Sequence, residues 1–141
     1  MNKLEELSAP LGRVLLAMIF IMSGLNKIST YAGTQGYMEA MGVPGAVLPL
    51  VIALEVLGGL ALVIGFQARL AALGLAGFSL LSAVLFHADF SDQMQMMMFM
   101  KNITIAGGFL MIVAHGAGAY ALDNKLNKSS QSASLNNRQH A

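Results

Sequence analysis

A carboxylate in the middle of an apolar segment is the residue best placed for chemistry in this chain. Glu55 lies inside the apolar segment at residues 47–66. A charged side chain there costs several kcal/mol unless it is paired or neutralised, so it is by default a candidate functional site. A carboxylate beside an ammonium group can also exchange protons with an oxygen of a bound small molecule. Polar residues at the ends of neighbouring segments complete the candidate cluster: Lys27, His87, Lys101 and Asn102.

Four apolar segments position these residues, at about 11–25, 47–66, 70–86 and 103–122. Each has roughly the length that a helix needs to cross a hydrocarbon core of ~30 Å. The composition agrees, because 56% of the residues are hydrophobic and 11% are charged, against about 25% charged in soluble domains. The sequence therefore predicts an all-α polytopic membrane protein, a four-transmembrane-helix bundle.

The segments between and after the spans have their own patterns. Residues 30–41 are predicted to form a short amphipathic helix at the membrane interface between spans one and two, with Tyr31 and Tyr37 at headgroup level. Residues 1–126 then make up one transmembrane domain. Residues 127–141 are rich in Ser, Asn and Gln and are predicted to be a disordered polar tail.

The distribution of basic residues predicts the orientation. With four spans, both termini and the turn before Arg69 share one side, which holds six of the eight Lys and Arg residues. The positive-inside rule places that side, and both termini, in the cytoplasm. Arg13 and Arg69 lie near the inner ends of their spans, a position typical of anchors to lipid headgroups.

The rise of a helix places the candidate cluster in the outer half of the bundle. Glu55 lies ~12 Å below the outer surface, and the other four residues lie at or near the outer ends of their spans. Three interpretations stay open. Glu55 forms a structural ion pair with Lys27 or Lys101, or it lines a polar cavity for a small ligand, or it relays protons.

The residues that could hold a metal or cofactor are few. The chain has no Cys, which excludes any Cys-based redox centre and leaves the cofactor unknown: a redox role would need a diffusible organic carrier, a haem with other ligands or a partner subunit. Thioethers are soft ligands for Cu(I), but Met is also a flexible apolar filler, and the second interpretation is preferred. The methionines concerned are Met94, Met96, Met97, Met98 and Met100.

The order and spacing of several short motifs resemble the DoxX family of small bacterial membrane proteins. They begin with the LGRVLLAMIFIMSGLNKI run at residues 11–28 and continue with Glu55 and the Gly-Gly pair after it, Arg69, His87 and Lys101-Asn102. The resemblance covers about residues 10–123. It implies a four-helix inner-membrane protein linked to quinone-dependent redox systems, and it carries the family positions onto Arg13, Lys27, Glu55, Arg69, His87, Lys101 and Asn102.

Three functions follow as hypotheses. The preferred one is a redox-associated membrane subunit that binds a quinone-like or other small apolar ligand in the outer half of the bundle. The alternatives are a non-catalytic membrane scaffold and a small-solute carrier. The expected partners are the lipid bilayer and other redox subunits or a second copy. Nucleic acid is not expected, because the net charge is only +1.

Overall fold

The computed structural model describes residues 2–140, and that part of the chain contains helices and no β-strand. The helices are α1 (Lys3–Ser29), α2 (Tyr31–Ala40), α3 (Leu48–Ile64), α4 (Ala68–Phe86), α5 (Gln93–His115) and α6 (Leu122–Gln139), and a 3₁₀ turn at Gly45–Val47 precedes α3. Four of them, α1, α3 with its 3₁₀ turn, α4 and α5, are long and apolar enough to cross a membrane. The predicted all-α, four-span architecture is confirmed, and α2 is the short helix between spans one and two.

The fourth span lies nearer the N-terminus than the sequence predicts. It covers Gln93–His115 instead of residues 103–122. Asp92 caps its start by accepting a hydrogen bond from the Met94 backbone N–H at 2.9 Å, and the methionine run that follows favours a helix. Gly116 stops the helix, because its φ of 78° lies in a region that side-chain-bearing residues rarely adopt.

The C-terminal segment also differs from its prediction. Helix α6 runs over Leu122–Gln139 and has no buried residue, whereas composition predicts a disordered tail from residue 127. The segment contains neither Gly nor Pro, so nothing in it interrupts a helix once one has begun. Near its start, the Asn124 side-chain amide donates to the carbonyl oxygens of Gly118 and Ala119. Residues 1 and 141 lie outside the described part.

The four spans pack in the spatial order α1, α3, α4, α5, and α1 meets α5 through a few side chains, with their backbones close at few positions. Helix α1 approaches α3 closely because Gly59 has no side chain: a Cβ there would lie 2.6 Å from Cγ1 of Ile21. Helix α4 faces its neighbours with buried alanines. In the centre, the Phe20 ring lies 5.4 Å from Phe109 and 6.3 Å from Phe78, centroid to centroid. These aromatic contacts form the boundary of the packed core at one end of the bundle.

The two ends of the bundle differ in character. The cavity end holds the last turns of α1 and α4, the first turns of α3 and α5, and α2. The Arg13 end holds the first half of α1, the last turn of α3, the first turn of α4 and the segment between α5 and α6.

Candidate functional site

Glu55 is buried and paired. Its side chain is 1% exposed, and its Oε1 lies 2.6 Å from the Nζ of Lys27, whose side chain is 23% exposed. Lys27 also donates to the Ser23 hydroxyl oxygen at 2.7 Å. Of the two lysines that the sequence left open as partners, the structure selects Lys27. The pair removes most of the cost of placing a carboxylate inside a spanning helix.

Helix α1 positions the Lys27 side of this ion pair through a short sequence pattern. Ser23 and Lys27 are four residues apart, so they lie on the same face of the helix. Gly24, between them, lets that face approach α3, because a Cβ at this position would lie 2.6 Å from Cγ2 of Val56 and 3.3 Å from Cβ of Glu55. The glycine thus permits the short distance at which the ammonium and carboxylate meet.

A cavity of about 440 Å³ opens beside the ion pair. All five residues of the predicted cluster line it, so the structure brings together residues from α1, α3, α4 and α5 that are far apart in sequence. They are Lys27, Glu55, His87, Lys101 and Asn102. The rest of the lining is mainly apolar and includes Phe20, Val51, Phe78 and Ile105. A mostly apolar cavity with a few polar groups is the usual form of a small-molecule site.

His87 is held at the rim of this cavity by the helix that follows it. Its Nδ1 lies 2.8 Å from Oε1 of Gln95 in the first turn of α5. Since a Gln oxygen only accepts hydrogen bonds, Nδ1 carries the proton, and Nε2 of a neutral imidazole is left as an acceptor. The ring can therefore accept a hydrogen bond from a hydroxyl group in the cavity.

Three hydroxyl residues of the lining are not marked by the sequence pattern: Ser23, Thr34 and Ser82. Tyr37 of α2, predicted to lie at headgroup level, also lines the cavity and stacks on Phe86 of α4 at 5.5 Å between ring centroids. The stack ties α2 across the cavity end. The spacing of Ser23 from Lys27 was the one available signal, since hydroxyl residues are common in apolar helices for other reasons.

Arg13 corrects a sequence prediction. It is 2% exposed, so it is not a headgroup anchor. Its Nη1 donates to the carbonyl oxygens of Leu62 at 2.8 Å and Val63 at 3.3 Å, and its Nη2 donates to that of Tyr120. The last carbonyls of a helix lack partners within the helix and carry partial negative charge, so a buried guanidinium is a suitable donor for them.

An acidic residue, Asp123, binds the backbone N–H groups at the start of α4, at the Arg13 end. The Asp123 carboxylate accepts hydrogen bonds from the backbone N–H groups of Gln67 at 2.7 Å and Ala68 at 3.0 Å, where α4 begins. The tight turn between α3 and α4 is thus held by a cation on one helix end and an anion on the next. Arg69 is exposed beside this turn, in the position predicted for a headgroup anchor.

The five methionines predicted as a low-ranking copper site lie in the first turns of α5. At ~100° per residue, positions 94, 96, 97, 98 and 100 spread over an arc of about 200°, more than half of the circumference of the helix. Four of the five are exposed: Met94, Met96, Met97 and Met100. Side chains that diverge from one helix do not surround a single ion, and this geometry favours apolar packing against lipid.

Replacing all five of these methionines with leucine should therefore leave the copper tolerance of cells that make the protein unchanged. The substitution keeps the apolar surface and removes every thioether in the run. The measurement is growth over a range of copper concentrations, with cells lacking the protein as the control. Loss of tolerance, together with loss of stoichiometric Cu(I) from the purified protein, would show a metal site instead.

The fold and the site define a small four-span membrane protein with a cavity at one end and a buried ion pair in its wall. The DoxX family model matches residues 9–88, which run from α1 to the end of α4 and include Lys27, Glu55 and His87. The chain belongs to the DoxX family, and the predicted resemblance is confirmed. Lys101 and Asn102 lie beyond the matched residues.

Three relatives match the chain by sequence, and two of them match most of its length. "Inner membrane protein YqjF" of Escherichia coli (strain K12) is 55% identical over 128 residues, covering 91% of this chain and 98% of the relative. "Inner membrane protein YphA" of the same strain is 34% identical, covering 82% and 87%. "Putative oxidoreductase CatD" of Bacillus subtilis (strain 168) is 31% identical over 70 residues, about half of each chain. No solved structure matches significantly. The protein is an integral, multi-pass inner-membrane protein.

Proposed function

We propose that this protein is a redox-associated membrane subunit whose cavity binds a quinone-like or other small apolar ligand. The observation that carries the proposal is the buried Glu55–Lys27 pair, 2.6 Å apart, in the wall of an otherwise mainly apolar cavity. The volume of about 440 Å³ lies within the range of small-molecule sites. The relative from Bacillus subtilis is named a "putative oxidoreductase", which agrees with this class of function.

The polar groups of the cavity suit proton exchange with a quinone oxygen. Reduction of a quinone to a quinol takes up two electrons and two protons. The Lys27 ammonium can donate a hydrogen bond to a carbonyl oxygen of the ligand, and the His87 Nε2 can accept one from a hydroxyl. The proposal assigns ligand binding and proton exchange to this chain, and electron supply to a partner redox protein.

A large side chain that fills the cavity should weaken the binding of a quinone. Ser82 lines the cavity and is half-buried, so Ser82→Trp places a large ring in the space for the ligand. We expect its affinity for decylubiquinone, measured by calorimetry in detergent, to fall about tenfold or more below wild type. Ser134→Trp on exposed α6 is the matched control and should bind as wild type does. Circular dichroism checks that both variants fold.

Two results would count against the proposal. The first is a wild-type protein that binds neither decylubiquinone nor menadione, and the second is a correctly folded Ser82→Trp that binds as tightly as wild type. Either result would favour a scaffold, because a scaffold does not depend on an open cavity. Ser82→Ala serves as a second variant that keeps the cavity open and should retain binding.

The proposed orientation places both termini in the cytoplasm and the cavity end outward. It rests on the six of eight basic residues that lie at the Arg13 end and in α6. Reporter fusions after Lys128 and within residues 91–94 should therefore give opposite results, with alkaline phosphatase active only in the second and a fluorescent protein only in the first. The same result at both positions would contradict the four-span topology, and exchanged results would place the cavity on the cytoplasmic side.

A further inference from the structure

The charges that line the cavity do not cancel. Lys27 and Glu55 form a neutral pair. Lys101 also lines the cavity and has no acidic partner within 4.0 Å among residues 2–140. The lining therefore has at least one net positive charge.

The acidic residues nearest in sequence to Lys101 are already engaged in local structure. Asp92 caps the start of α5 through the Met94 N–H, and Asp89 accepts hydrogen bonds from the backbone and hydroxyl of Ser91. Neither carboxylate lines the cavity. Within residues 2–140, the positive charge of Lys101 thus lacks a carboxylate counter-ion.

The position of Lys101 makes a counter-ion important. It follows the start of α5 at Gln93 by eight residues, about 12 Å along a helix that is long and apolar enough to cross the membrane. The residue is exposed rather than enclosed by the bundle, and a cation on such a helix within the hydrocarbon core is costly unless an anion or water accompanies it. Beside it in the lining, the Asn102 amide can donate and accept hydrogen bonds.

We infer that the cavity takes an amphiphilic organic anion, a molecule with an apolar body and one ionised oxygen acid such as a phenolate or carboxylate. The apolar body lies among Phe20, Val51 and Phe78, and the oxyanion lies against Lys101. The inference rests on the proposed function and narrows its ligand class. A neutral quinone satisfies the apolar part of the cavity and leaves Lys101 without an anion.

A matched pair of probes tests this inference. 1-Naphthoate and 1-naphthamide share one ring system and differ in charge at neutral pH. We expect wild-type protein to bind naphthoate about tenfold more tightly than naphthamide, because a hydrogen bond to a charged group is worth at least one factor of ten. Lys101→Met should lose that preference and bind naphthamide within about twofold of wild type. Lys101→Arg should retain the preference, and Lys125→Met, on exposed α6, is the charge-matched control.

The outcomes separate this inference from the function on which it rests. Equal affinities for the two probes, with decylubiquinone still bound, would overturn the anion inference and leave the proposed function standing. Failure to bind both naphthalene probes and decylubiquinone would overturn both. A lipid phosphate is the other anion available to Lys101. If Lys101→Met retains fewer phosphatidylglycerol molecules by native mass spectrometry but keeps the naphthoate preference, Lys101 is a headgroup anchor and the inference is wrong.

Discussion

Replacing Arg13 with methionine is expected to destabilise the protein far more than replacing Arg69, the other arginine at the Arg13 end. The guanidinium donates to the carbonyl oxygens of Leu62 and Tyr120, and each hydrogen bond to a charged group is worth about 1.5–3 kcal/mol. Methionine fills similar space and donates none of them. We expect the free energy of unfolding in detergent to fall by about 3 kcal/mol.

The control for this experiment is the other arginine at the same end. Arg69 is exposed and has no hydrogen bond to the described residues, so Arg69→Met should change the free energy of unfolding by no more than about 0.5 kcal/mol. Arg13→Lys should fall between the two, since an ammonium keeps the charge but cannot span both carbonyls as a planar fork does. If Arg13→Met and Arg69→Met behave alike, the buried arginine does not hold the helix ends together.

Arg13→Met should loosen the turn between α3 and α4 as well as lower the free energy of unfolding of the whole protein. Gly65 ends α3 with a φ of 74°, and a Cβ there would lie 2.6 Å from Nη1 of Arg13. The guanidinium therefore packs directly on the turn that joins α3 to α4, while Asp123 holds the other half of that turn. In Arg13→Met, amide hydrogen exchange should accelerate first around this turn and in the segment from Gly116 to Ala121.

The sequence predicts four spans and the clustering of the cavity residues because both depend on quantities that residue type and number define, although the fourth span begins ten residues earlier than predicted. Hydrophobic length identifies a span, and a constant rise per residue sets the depth of Glu55 relative to Lys27, His87 and Lys101. The rise per residue does not define how far each helix is rotated about its own axis. For that reason the sequence could not choose between Lys27 and Lys101 as the partner of Glu55, and only the packed helices select Lys27.

Arg13 was misinterpreted for a different physical reason. Its partners are main-chain carbonyls, which every residue has, so no side-chain pattern marks them. An arginine near the end of a span has the same sequence pattern whether it contacts lipid phosphates or the end of a neighbouring helix. The start of the fourth span was ambiguous in a similar way, because the methionine run suits both an interfacial segment and the first turns of a spanning helix.

At the cavity end, Glu55→Gln should lower both stability and ligand affinity. The substitution keeps the shape of the side chain and removes its charge, which leaves the Lys27 ammonium without its partner at 2.6 Å. Breaking a buried ion pair by removing one member typically costs about 3–5 kcal/mol, and the 23% exposure of Lys27 should reduce that cost through partial hydration. Thermal and chemical unfolding in detergent measure the loss, and calorimetry with decylubiquinone measures the affinity.

A double-mutant comparison decides whether the loss comes from the pair. Lys27→Met should restore part of the stability of Glu55→Gln, with an interaction energy of about 1–3 kcal/mol, because the double variant has no unpaired charge at this position. Lys101→Met is the matched control, since Lys101 lines the same cavity without a salt bridge to Glu55, and its effect should add to that of Glu55→Gln. If the protein is a scaffold that needs no ligand, Glu55→Gln should lose stability and the double variant Glu55→Gln/Lys27→Met should keep its function. If it is a ligand-binding subunit, the double variant should recover stability but not ligand affinity. If Glu55→Gln unfolds as wild type does and neither double variant departs from additivity, the pair is not energetically coupled and the cavity does not depend on it.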